Sequence, residues 1–133
     1  MRVEDQLKRL RLKLPSPAAP AGSYKPCIII ENTAYVSGQG PLLEDGTFAK
    51  GVVGRDLDLE TAQEHAEKCG LAILAALQNE IGDLNNVKQL IKLTGFVNCT
   101  NDFTQQPLVI NGCSNLMKEI FGDKGIHARA AVG

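Results

Sequence analysis

Arg129 is the residue whose type and setting say most about chemistry. It lies in His127-Ala128-Arg129-Ala130-Ala131-Val132-Gly133, among alanines and a valine, in a stretch that reads as a largely buried strand. A guanidinium stays charged at any working pH and has to find a partner there. Two partners fit: an internal carboxylate in a structural ion pair, or a substrate carboxylate or phosphate held bidentately. The two histidines say less. His65 sits beside acidic residues in a helical pattern and reads as a surface residue, and His127 reads as a polar strand-edge residue. Cys27, Cys69, Cys99 and Cys113 form no C-x-x-C pair and have no zinc-like spacing. They read as reduced thiols acting as small hydrophobes, not as nucleophiles. Ser37-Gly38-Gln39-Gly40-Pro41 lacks the third glycine of a dinucleotide loop and opens no helix. Its glycine pair marks a tight turn or a close approach to the backbone.

The elements that must position these residues follow from periodicity. Val3, Leu7, Leu10 and Leu14 form one stripe of a short N-terminal helix, and Pro15 to Pro20 form an extended connector. Cys27–Ile30 and Ala34–Ser37 read as a hairpin, and Thr47–Val53 as a third short strand. A long helix is predicted from about Asp58 to Ile81, with Gly82 as its stop, and a second from Pro107 to Gly122. Between them Val87–Val97 reads as a strand with Val87, Ile91, Leu93 and Val97 on one face. Leu90 and Phe96 on the other face suggest a covered second side, as another subunit would provide. The order β-β-β-α-β-α-β predicts an α+β architecture, one sheet under two helices.

Composition sets the outer bounds. A chain of 133 residues with net charge -1 and 44% hydrophobic residues fits one domain with one core. The balanced charge and low aromatic content argue against a nucleic-acid binder. No run approaches a membrane span, the N-terminal stretch lacks the pattern of a signal peptide, and a cytoplasmic address is the expectation.

Tyr24, Ser37-Gly38-Gln39-Gly40-Pro41, Gly95-Phe96-Val97-Asn98 with Asn101-Asp102-Phe103, Asn111 and Ala128-Arg129 occur in an order and spacing that resembles the YjgF/Rid family. These are the reactive intermediate deaminases, often labelled endoribonuclease L-PSP. The resemblance runs from about residue 20 to residue 133. The N-terminal helix and the Gln105-Gln106-Pro107 insertion are similar to a sub-branch of it. It implies a chorismate-mutase-like α+β fold, a single mixed sheet with two helices on one face, assembled as a homotrimer with sites between subunits. In the deaminase members the matching arginine binds the carboxylate of a 2-imino acid. Water attacks the imine carbon, ammonia and a 2-keto acid are released, and no metal or organic cofactor takes part. Carried onto this chain, Arg129 would hold the carboxylate and Tyr24 would close the cleft. Ser37, Gly38 and Gln39 would line it, and Asn111 would support it from the second helix.

The chain departs from the family pattern in two ways. His127 stands where proline or alanine is usual. The family also continues into a further strand bearing a water-positioning glutamate, so the expectation is that this strand is missing after Gly133. Three functions compete. Hydrolytic deamination of 2-imino or 2-enamino acids leads, a non-catalytic carboxylate-binding trimer follows, and an endoribonuclease is a distant third because no His-His or His-Lys acid/base pair is apparent.

Overall fold

A computed structural model describes all residues, 1–133. The chain runs α1 (Val3–Arg9), β1 (Cys27–Ile30), β2 (Thr33–Val36), α2 (Leu59–Ile81), β3 (Lys92–Phe96), α3 (Gln106–Phe121) and β4 (Ala128–Val132), with short 3-10 turns at Leu84–Asn86 and Gly122–Gly125. No helix is long and apolar enough to cross a membrane.

The two long helices form where the apolar repeat and the end signals agree. Asp58 caps α2, its carboxylate accepting the Thr61 N–H at 2.8 Å. That bond satisfies one of the helix's orphan donors. Gly82 ends α2 at φ +83, in the left-handed region that a glycine enters without strain. Pro107 lies in the first turn of α3, where its missing N–H does no harm.

α2 and α3 build the core. Ala62, Ala66, Leu74 and Leu77 from α2 meet Val109, Ile110, Cys113, Leu116, Met117 and Ile120 from α3, all buried. The crossing is close because Gly112 has no side chain: a Cβ there would collide with the Gln63 backbone carbonyl. Gln63 also reaches across, its Nε2 donating to the Leu108 carbonyl at 2.8 Å. α1 docks on the same core through Val3, Leu7 and Leu10, and Arg9 pairs with Glu119 at 2.6 Å.

The single mixed sheet expected from the resemblance is corrected. Two two-stranded ladders form instead, β1–β2 antiparallel and β3–β4 parallel, with no strand pairing between them. The expected third strand, Thr47–Val53, is present only as isolated bridges, Leu42 to Phe48 and Val53 to Cys99. Gly51 takes φ +136 inside the run and Gly46 and Gly54, at +87 and +93, turn the chain at either end, so no continuous extended strand forms. The expected Val87–Val97 strand shortens to Lys92–Phe96. Its period of two therefore does not extend back to Val87. Leu90 packs on the core beside Val87 and Leu93, while Ile91 is 64% and Phe96 77% exposed.

Two measurements test this frame. Gly112→Ala should destabilise the protein by about 3 kcal/mol in urea unfolding, because a backbone carbonyl cannot move aside as a side chain does. A loss below about 0.5 kcal/mol would mean the helices are not in close contact there. Asp58 tests the cap. The Thr61 hydrogen bond holds its carboxyl below the usual carboxylate range. A depressed native pKa stabilises fully above the unfolded value of ~3.9, and that contribution is lost as pH falls through the native value. Asp58→Ala should therefore lower the melting temperature at about pH 7, with the gap to the parent protein narrowing toward about pH 3. An equal gap at both would contradict the cap's role.

Candidate functional site

α3 and β4 bring four polar side chains together. Asn111 and Ser114 are three apart on α3, which sets them one above the other on one face. His127 stands just before β4 and Arg129 within it, two apart in extended backbone, which sets them on one side. Ala131, on that same side, packs against the core. The turn Gly122–Gly125 returns the chain from α3 to β4. Gly125 is buried against α3 so closely that a Cβ would strike the Met117 carbonyl.

The four residues form one hydrogen-bonded chain. Arg129 Nη1 donates to Asn111 Oδ1 at 2.7 Å and to Ser114 Oγ at 3.2 Å. Ser114 Oγ lies 3.0 Å from His127 Nε2, and His127 Nδ1 lies 2.7 Å from the Gly125 carbonyl. A carbonyl only accepts, so Nδ1 carries the proton. In the neutral ring Nε2 is then the acceptor, and it takes the Ser114 O–H.

Arg129 departs from the sequence expectation in one respect and resolves it in another. It is exposed, not buried, because β4 pairs only with β3. It also has no ion-pair partner: the chain's four close contacts of opposite charge belong to Arg2, Arg9 and Arg55. Neutral oxygens hold Nη1, and Nη2 and Nε make no hydrogen bond to the protein. An oriented cation with two free donor groups can take a carboxylate.

The remaining predicted residues, Tyr24 and Ser37–Gln39, make no hydrogen bond to these four. Tyr24 is half exposed and its oxygen accepts the Ala21 N–H at 3.2 Å. Ser37 Oγ donates to the Lys25 carbonyl at 2.6 Å, and Gln39 Nε2 to the Ser37 carbonyl at 3.2 Å. A Cβ on Gly38 would meet nothing within 4 Å, so its backbone is open to approach. A cleft of about 1230 Å³ is lined by residues of both ladders and floored by α2 and α3. Ser37, Gly38, Gln39, His65 and His127 line it, whereas Tyr24, Asn111 and Arg129 do not. Within one chain the structure thus joins Asn111 to Arg129 and leaves Tyr24 and Ser37–Gln39 apart from them.

Sequence reading missed Ser114 and gave His127 no chemical part. The available signals were Ser114 three residues after Asn111 and His127 two before Arg129.

Cysteine chemistry is disfavoured at this site. Burial pushes the Cys69 thiol up to about 11 and the Cys113 thiol to about 12, so neither forms a thiolate near neutrality. No three His, Cys, Asp or Glu side chains converge as a metal would need.

Residues 4–132 match the family model described as "YjgF/chorismate_mutase-like, putative endoribonuclease". Protein TCP17 of Trypanosoma cruzi is 41% identical over 133 residues, 99% of this chain and 83% of that protein. The crystal structure of Atu1372 from Agrobacterium tumefaciens, a protein of unknown function, is 46% identical with a TM-score of 0.89. The match covers 98% of this chain and 80% of that one. A structure from Shewanella oneidensis, described as a "putative endoribonuclease", superposes with a TM-score of 0.95 at 31% identity. It covers 99% of this chain and 87% of its own. With nearly its whole length matched by the family model and by these relatives, the chain belongs to the YjgF/chorismate-mutase-like family.

Proposed function

We propose that the protein hydrolyses 2-imino and 2-enamino acids to 2-keto acids and ammonia, with the substrate carboxylate held by Arg129. The observation that carries this reading is the state of the guanidinium. It is charged, fixed in direction by Asn111 and Ser114, free of any protein carboxylate, and has Nη2 and Nε unengaged. A structural ion pair would have spent those donors. The imine carbon of such a substrate is already electrophilic, so orientation beside water is the main thing a protein has to supply.

In this reading Ser37, Gly38, Gln39 and Tyr24 complete the pocket from a second subunit of a homotrimer. Two features support assembly. The single chain keeps these residues apart from Arg129. Both ladders also leave large apolar side chains exposed, among them Ile28, Ile30 and Tyr35 on the hairpin and Phe96 and Val132 on the second ladder, with Ile91 exposed just before it. Unpartnered apolar surface of this kind marks association.

The test couples the protein to a threonine dehydratase and times 2-keto acid release. The protein should accelerate release over the spontaneous rate. Arg129→Ala should lower kcat/KM at least about 100-fold, the loss expected when charge-assisted hydrogen bonds worth roughly 3 kcal/mol are removed. No acceleration by the parent protein would refute the deaminase reading. A 2-keto acid that raised the melting temperature without turnover would leave a carboxylate-binding protein in its place.

A further inference from the structure

We propose that Ser114 and His127 form a proton-relay dyad at Arg129, with His127 as the general base of the site and Ser114 as the hydroxyl through which it acts. The substrate named here rests on the deaminase reading above; the dyad itself rests on geometry.

Ser114 is the first part of that geometry. A serine within a helix commonly turns its hydroxyl back to the carbonyl four residues earlier. Ser114 instead reaches out of α3 to His127 Nε2 at 3.0 Å. The second part is the ring. Its other nitrogen is tied to the Gly125 carbonyl at 2.7 Å, which fixes both its direction and its tautomer. A hydroxyl on a base whose far side is anchored by a third group is the arrangement that activates an O–H. The third part is Arg129, whose Nη1 donates to the same Oγ at 3.2 Å. A positive charge there eases the build-up of negative charge on the oxygen as its proton leaves. His127 lines the large cleft and Arg129, which touches the Ser114 hydroxyl, is exposed, so water can reach the dyad. Nothing else nearby fits the part of base: Cys113 is buried, Cys69 is half-buried with its thiol pushed up by desolvation, and His65, the other histidine on the cleft, makes no hydrogen bond that would orient its ring.

The guanidinium that would hold the carboxylate touches the dyad's hydroxyl, so the carbon next to that carboxylate lies within reach of a water on Oγ. As the water oxygen bonds to the imine carbon, its proton passes to Ser114 Oγ and the Ser114 proton passes to Nε2. The C=N π pair moves to nitrogen, which takes a proton from solvent. The imidazolium then returns its proton through Ser114 to the same nitrogen, making it an ammonium leaving group. The carbinol hydroxyl gives its proton back to the dyad as the C–N bond breaks. Ammonia leaves with the bond pair, the keto group remains, and the imidazolium gives its proton to solvent, replacing the one taken up earlier and restoring the dyad.

The test uses Ser114→Ala, His127→Gln and the double variant, each folded as judged by an unchanged circular dichroism spectrum. In the dehydratase-coupled assay each single change should lower kcat about 100-fold or more, within the range for removal of a general base. In His127→Gln, KM and the calorimetric affinity for 2-oxobutanoate should stay within about threefold, since Arg129 keeps both Asn111 and Ser114. The double variant should be no slower than the worse single one, as expected of two groups acting as a unit. Hydrolysis of mono-p-nitrophenyl succinate, an activated ester with a carboxylate for Arg129, provides an arm independent of imines. There the parent protein should outpace both single variants. Parent rates retained by both variants in an assay where the parent is active, or a loss of turnover in His127→Gln matched by an equal loss of 2-oxobutanoate binding, would overturn the dyad. A parent protein inactive on the imine but faster than its variants on the ester would overturn the deaminase reading and leave the dyad standing. Inactivity on both would overturn both.

Discussion

At Gly112 the backbone of α3 comes against the Gln63 carbonyl of α2, and the position of everything else on α3 depends on that contact. Any side chain at Gly112 would push the helices apart. With the hydrogen atom, the two apolar stripes interlock and bury the whole inner face of α3, from Val109 to Ile120. A close-packed interface of this kind does not slide, because its side chains interdigitate at near-crystalline density. The opposite edge of α3 is thereby held at fixed height above β4. Asn111 and Ser114 sit on that edge, and they are the residues that aim Arg129.

The electrostatics of the site follow from what those residues are not. A carboxylate on α3 would have neutralised Arg129 and used its donors; an amide and a hydroxyl fix its direction and leave its charge in place. The cost of holding an uncompensated cation is modest here because the guanidinium is exposed to water. The Gly125 carbonyl plays the matching part for His127, taking the Nδ1 proton and leaving the opposite lone pair toward Ser114. A small turn, closed tightly on α3 by a glycine, therefore sets both the strand's path and the ring's tautomer.

Local signals made α2 and α3 readable from the sequence almost to the residue. The apolar repeat, Pro107 and the stop glycines Gly82 and Gly122 all agree, so no tertiary information was needed. The strands were less readable. Thr47–Val53 has the composition of a strand, but the positive φ of Gly46, Gly51 and Gly54 is a property of the folded chain. The apolar character of Ala128–Val132 suggested burial for Arg129, yet exposure depends on which neighbours the strand has, and β4 pairs only with β3. The resemblance located Asn111 and Arg129, which the fold joins. It could not point to Ser114 and His127, whose contact is made by the turn between them. They stand 13 positions apart in the chain, and no local pattern marks such a pair.

The proposed function requires Arg129 to be a ligand-binding cation and not a structural one. A crystal structure of the protein soaked with 2-oxobutanoate tests it most directly. The carboxylate of the keto acid is expected on Arg129 Nη2 and Nε, with Nη1 still held by Asn111 and Ser114. A keto acid bound elsewhere, or an Arg129 whose free donors are taken by a protein carboxylate, would contradict it.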